Sequence, residues 1–252
     1  MYFPIQDRHP FQRGNTNLYK KYLPKVDLLI NVCQTIADEC KSAFNVESVV
    51  IPNAAFYYDL QPVLKDNDGP VRIIYHGNSN FSRKLEAMME VVGKLGQGYQ
   101  LDMMLTGGED VVQHYKKLAA TYDNVNILPP VPFKSIIPFI NNYHIGLYML
   151  APTNFNNRSA LPNKFFEYLQ ARLCIAVSPN VEMKSLIEQY KLGVVANDYS
   201  VEAMYELLKY LTTDEINMYK NNSAIVAKQL NAEHYGQLFL KSVCSLKNWQ
   251  RD

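Results

Sequence analysis

From residue 71 onward the chain repeats one pattern six times: a short apolar run rich in β-branched residues, then a stretch with helical spacing. The runs are Val71–Gly77, Leu101–Gly107, Val125–Val131, Ile145–Leu150, Cys174–Ser178 and Gly193–Ala196. Leu85, Met88, Met89, Val92 and Leu95 form the apolar stripe after the first run. Val112, Tyr115, Leu118 and Ala119 follow the second, and Phe133, Ile136, Ile137 and Ile140 the third. Met204, Leu207, Leu208 and Leu211 follow the sixth, behind Ser200 as an N-cap. Near-continuous apolar strands alternating with amphipathic helices require a parallel sheet covered on both faces. The predicted fold class is therefore α/β, a Rossmann-like doubly wound parallel sheet, built with right-handed crossovers.

That domain is expected over 71–230, with helical patterns around Thr213–Leu230 and His234–Leu246. The last helix, within 231–252, presents Tyr235, Leu238, Phe239 and Val243 on one side and is expected to pack back toward the N-terminal part. Residues 1–60 read as a partial α/β segment, with strands at Val26–Val32 and Ser48–Ile51 around a helix at Thr35–Phe44. Residues 61–70, QPVLKDNDGP, read as a linker. Two strands and one helix cannot build a core at this length, so the segment must lean on the larger domain or on another chain.

Composition excludes several classes. A net charge of +1 in 252 residues gives no overall field for nucleic acid. No stretch approaches the ~18 apolar residues of a membrane span, and the first residues lack the pattern of a secretory signal. The expected location is cytoplasmic, with peripheral association at the inner face of the membrane as an added expectation. Cys33, Cys40, Cys174 and Cys244 show no zinc-like spacing and read as reduced core thiols. No metal site is expected. His114, His144 and His234 fall within elements and read as structural, and His9 lies in irregular text. His76, at a strand end, reads as a ligand contact or as a hydrogen-bonded, half-buried side chain.

In a parallel sheet, ligands bind beyond the carboxyl ends of the strands. The first strand runs into His76-Gly-Asn-Ser-Asn80 and then Arg83-Lys84 near a helix start, a setting where backbone N–H groups and cations meet an anion. Neither GxGxxG nor a Walker A loop is present. Arg83 and Lys84 also read as solvated first-turn residues. After the fourth run, a polar loop leads through Pro162 into a helix with Asn163, Lys164 and Glu167 near its start. A cation and a carboxylate there suit a phosphate and a ribose diol, while the plainer reading is a surface i, i+3 ion pair.

Ser159-Ala-Leu-Pro-Asn-Lys-Phe-Phe-Glu-Tyr168 resembles the S-x-L-P-N-K-x-F-E-Y block of GT-B glycosyltransferases of the retaining, family-4 type. VDLLINV at Val26–Val32, VIPN at Val50–Asn53, Ser82-Arg-Lys-Leu-Glu86, Gly107–Gly108, Asn124–Val131 and Lys191-Leu-Gly-Val194 continue the resemblance across essentially the whole chain. It implies the C-terminal, donor-binding domain of such an enzyme with a remnant of its N-terminal domain, Met1 lying partway into the latter. The implied activity is transfer of a sugar from a UDP- or GDP-sugar to a glycan or lipid-linked acceptor in surface polysaccharide biosynthesis, with no cofactor and no metal. By the resemblance, Arg83, Lys84 and Lys164 stabilise the departing diphosphate. Glu167 holds the ribose, Pro130 and Val131 lie against the base, and Gly77, Asn78, Asn163 and Phe165 complete the donor site. Two positions depart from the pattern. Ser159 stands where a second glutamate is usual, and Asn78 where an arginine often follows the glycine. The alternative is a non-catalytic nucleotide-sugar-binding module, or an inactive fragment needing a partner domain. An open strand edge in the N-terminal segment leads to an expectation of self-association.

Overall fold

The computed structural model describes residues 10–66 and 68–246, with side chains from residue 16. Helix α1 (Pro10–Tyr22) leads to strand β1 (Ile30–Asn31), helix α2 (Gln34–Phe44) and strand β2 (Val49–Val50). An extended stretch then reaches β3 (Val71–Asn78), followed by α3 (Glu86–Leu95), β4 (Tyr99–Thr106), α4 (Glu109–Ala119) and β5 (Val125–Leu128). Next come α5 (Ile136–Ile140), β6 (Ile145–Tyr148), α6 (Phe155–Arg158), α7 (Asn163–Gln170) and β7 (Cys174–Val177). The chain continues through α8 (Val181–Tyr190), β8 (Gly193–Val195), α9 (Val201–Lys209), α10 (Thr213–Val226) and α11 (Ala232–Cys244).

All six apolar runs become strands of one parallel sheet in the order β5-β4-β3-β6-β7-β8. Ile73 pairs with Leu101 on one side and with Ile145 on the other, so β3 and β6 are central neighbours. Chain order therefore reverses direction between them, which is the topological switch point of a doubly wound sheet. Both faces are covered. Helices α3 and α9 pack together on one face and α7 packs with α5 and α10 on the other; Met88, Met89, Met204, Leu208, Phe166 and Tyr168 are among the buried side chains of a single core. Ser200 caps α9 as its sequence predicts, its hydroxyl accepting from Ala203 N at 3.1 Å.

Several expectations change. Val26–Val32 is a strand only at Ile30–Asn31, because its one partner, β2, is two residues long and a ladder cannot outrun its partner. Residues 10–22 form a helix that the sequence pattern does not announce, because the stretch carries few apolar residues and periodicity gives no signal there. Phe133 is 75% exposed and off the core, since α5 begins only at Ile136 after a 3-10 turn. Cys33, Cys40 and Cys174 are buried, but Cys244 is exposed on α11. None of the α11 side chains is fully buried, although Tyr235 meets the Phe166 ring edge-on. His144 lies in the turn before β6, and His9 falls outside the described residues.

The described part of the stretch between β2 and β3 is fastened at separate points. Gln61 O accepts from Asn141, and Lys65 exchanges backbone hydrogen bonds with the Asn217 amide at 2.8 Å each. The N-terminal segment is fastened by Glu182 of α8, whose carboxylate accepts from both the backbone N–H and the hydroxyl of Thr35 at the start of α2. No helix among the described residues is long and apolar enough to cross a membrane.

Candidate functional site: a cation-lined crevice at the switch point

Helix α7 crosses the switch point, and two features pin it there. Tyr168 is fully buried, and its phenol reaches Ile74 O on β3 at 3.4 Å and Leu147 O on β6 at 3.2 Å. Its ring lies directly on Gly146, where an added Cβ would stand 2.5 Å from ring carbons. One turn earlier, the same face points Lys164 at the carboxyl end of the sheet.

Lys164 is not a surface residue. It is buried beside Tyr75 and Tyr148, with Nζ 3.3 Å from Tyr75 Oη and 4.4 and 4.5 Å from the two ring centroids. Glu167 is buried too, and its partner is His76, Nε2 to Oε2 3.3 Å. That approach lies off a good hydrogen-bond direction, so the contact is a close polar one and Nε2 has no aligned partner. The i, i+3 surface ion pair is thereby excluded. Arg83 closes the other side, its guanidinium donating to Tyr148 Oη at 2.9 Å.

Burial dominates the electrostatics. It pushes Lys164 down to about 7, with the Arg83 charge adding to the effect and Glu167 opposing it. It raises Glu167 against the pull of Lys164. His76 is pushed down to about 3 by burial and by Lys164, so its ring is neutral. Arg83 and Lys164 stand together at the strand ends while the Glu167 carboxyl turns to His76, so this part of the crevice suits an anion.

The remaining candidates divide. Gly77 adopts φ +131° at the end of β3, and a Cβ there would stand 3.0 Å from Lys164 Nζ, so the backbone passes right against the ammonium. Asn78 is exposed and accepts from Asn80 N at 2.8 Å, which shapes the turn. Lys84 is exposed and left-handed at φ 49°, closing the 3-10 turn that carries Arg83. Asn163 is exposed at the N-terminus of α7. Pro130 is exposed and Val131 half-buried, its N–H 3.4 Å from Met104 Sδ. Phe165 is in the core, 1% exposed and edge-on to Phe166. Ser159, at the position departing from the family pattern, is buried, and its carbonyl accepts from Cys33 Sγ at 3.5 Å.

Sequence reasoning missed four contributors. Tyr75 and Tyr148 read as strand residues, and only strand pairing brings them around Lys164. Ser79 is fully buried at the strand end with its hydroxyl unpartnered, facing Gly107 just past the end of β4. The stretch Asn53–Phe56 forms one wall of a cavity of about 100 Å³ against Phe133, Asn163 and Glu167. A hollow of about 630 Å³ along α9 is lined by Asp198, Glu202 and Glu206, a charge that repels an anion.

No protein-family model and no curated protein sequence matches the chain. Solved structures do. A glycosyltransferase from Rickettsia africae ESF-5 aligns with TM-score 0.73 and 14% identity over 92% of this chain and 68% of its own. TarM of S. aureus, in a complex that includes UDP, gives 0.70 and 10% over 92% of this chain and 47% of its own. The lipopolysaccharide outer core galactosyltransferase WaaB gives 0.68 and 13% over 87% and 62%. This is the Rossmann-like fold of the GT-B glycosyltransferases. The chain spans about half to two thirds of the length of these GT-B structures. No three His, Cys, Asp or Glu side chains among the described residues converge as a metal-binding group.

Proposed function

We propose that the chain is the donor-binding part of a retaining glycosyltransferase that moves a sugar from a UDP- or GDP-sugar to a glycan or lipid-linked acceptor. The observation that carries this reading is the pairing, at the GT-B switch point, of two cations with a buried carboxylate one helical turn away. Arg83 and Lys164 would hold the diphosphate, and Glu167, facing the cavity beside Asn163, would accept the ribose hydroxyls. When the sugar–oxygen bond breaks, negative charge grows on the departing diphosphate. Fixed cations and the N-terminus of α7 stabilise that charge without reorganising. The UDP held by TarM supports the donor class, and the lipopolysaccharide role of WaaB supports a role in surface polysaccharide biosynthesis; a place at the cytoplasmic face of a membrane is part of the same proposal. The reading needs no cofactor and no metal.

One observation favours the alternative, a binding module that works with a partner chain. Among the described residues β1 and β2 pair only with each other, leaving strand edges open to another chain or copy. Donor hydrolysis by the chain alone, compared with hydrolysis only in the presence of a partner domain, separates the two readings.

Calorimetry with UDP and GDP tests the shared core of both. Submillimolar binding of at least one is expected, weakened roughly tenfold or more in Arg83→Ala and in Lys164→Ala, the loss of one charge-assisted hydrogen bond. Failure of both diphosphates to bind overturns the nucleotide-sugar reading.

A further inference from the structure

The crevice holds an arrangement that anion binding alone does not require. Tyr75 on β3 and Tyr148 on β6 face each other with ring planes 12° apart and centroids 6.4 Å apart. The Lys164 amine stands over both rings, at 4.4 and 4.5 Å. An ammonium carries three donors, yet its hydrogen bond among the described residues is a single long one to Tyr75 Oη at 3.3 Å. The groups facing it from each packed element do little to compensate the charge. Glu167, on α7 itself, turns to His76 of β3, which is neutral. Arg83, from the 3-10 turn, brings a second positive charge and is held by Tyr148. Two ring faces attract a cation, but less than this depth of burial penalises it.

We propose that Tyr75 and Tyr148 are positioning residues that keep Lys164 dry and incompletely charged until a diphosphate arrives, so that nucleotide binding draws one proton from solvent. The proton joins the neutral amine, and the resulting ammonium donates to a phosphate oxygen; no other bond forms or breaks. The proposal rests on the nucleotide reading above. Its sign follows from Lys164 lying near 7 in the free chain. Above that pH the free amine is mostly neutral and binding must add a proton, whereas well below it the ammonium is already formed.

Calorimetry of UDP binding in non-phosphate buffers of differing ionisation enthalpy counts the protons. At pH 8, where the free nucleotide is fully ionised, uptake of about 0.9 proton per UDP is expected from a lysine near 7. Lys164→Arg, whose guanidinium is charged throughout, should bind with no uptake. Tyr148→Leu, which opens the box to water, should lower the uptake to below about 0.3, because a solvated lysine is already charged at pH 8. Tyr148→Phe keeps the ring and should keep the uptake. UDP binding by the wild type with no proton uptake overturns the proposal, and so does unchanged uptake in a folded Tyr148→Leu. NMR titration of the Lys164 side chain in the free chain gives an independent check. A midpoint near neutrality supports the box, and one above 9 overturns it even if Tyr148→Leu fails to fold. A midpoint near neutrality with no UDP or GDP binding instead overturns the nucleotide reading and the coupling with it, leaving the box as a property of the free chain.

Discussion

Gly77→Ala separates the backbone's role in the crevice from its role in the fold. Gly77 sits at φ +131°, a conformation that L-residues rarely adopt, and the strain of a Cβ there costs about 1–3 kcal/mol. In a chain of this size the melting temperature should fall by roughly 2–12 °C. The second effect is local. The new methyl would stand 3.0 Å from Lys164 Nζ and 3.5 Å from Cε, and the boxed amine, which becomes an ammonium on meeting the diphosphate, can yield only by leaving its place between the tyrosines. Losing that charged donor should cost about 1.5–3 kcal/mol of diphosphate affinity, roughly 10- to 150-fold. Gly96→Ala is the matched control. Gly96 is also at positive φ, +75°, but a Cβ there meets nothing within 4 Å. Thermal melts and UDP calorimetry on both variants should show destabilisation in both and an affinity loss only in Gly77→Ala. Wild-type UDP affinity in a destabilised Gly77→Ala chain refutes the placement of Lys164 against the diphosphate.

Glu167→Gln keeps one acceptor and should lose roughly 1–2 kcal/mol of UDP affinity; equal affinities for UDP and its 2′,3′-dideoxy analogue in the wild type would contradict the ribose role. Acid should destabilise the fold in a defined window. His76 and His144 are pushed down to about 3, chiefly by burial, so each is neutral in the fold while the unfolded chain binds protons from the ordinary value of 6.5 downward. Stability from these two is intact above pH 6.5 and drains as pH falls toward 3, by about 2–3 kcal/mol per histidine at pH 4.5. Urea unfolding at pH 7 and pH 4.5 should show a smaller acid loss in His144→Gln, whose amide oxygen can still accept from Arg72 N; an identical loss assigns the acid sensitivity elsewhere.

What the sequence made legible follows from which interactions are local. Each of the six strands and the stripe Leu85–Met88–Met89–Val92 could be read because their burial has a fixed period along the chain. Lys164 and Glu167 could be named because the residues around them form one contiguous block. Their true setting could not, because it is made by strand pairing. Ile73 and Ile74 pair with Ile145 and Gly146, and this register brings Tyr75 and Tyr148 face to face. Nothing in the spacing of Tyr75, Tyr148 and Lys164 announces that they meet. The same block names Phe165, and what the block does not announce is that α7 is buried on nearly every side, with the Phe165 ring in the core.

That burial gives α7 two jobs. Its first turn carries Lys164 and Glu167 to the crevice, while its last residues hold the N-terminal stretch in place. Gln170 accepts from Tyr58 N at 3.2 Å and donates to Ala227 O and Leu230 O at 2.9 and 3.2 Å. Arg172, one residue past the helix C-cap and left-handed at φ 58°, donates to Tyr58 O and to Gln170 O. Ala55 O in turn accepts from Ala232 N, at the start of α11. The stretch so clamped is the one whose Asn53–Phe56 wall faces Glu167. The bonds of Gln170 and Arg172 tie this wall to the C-terminal end of the helix that carries Lys164 and Glu167. Lys164 and Glu167 are therefore linked to the N-terminal stretch through one eight-residue helix.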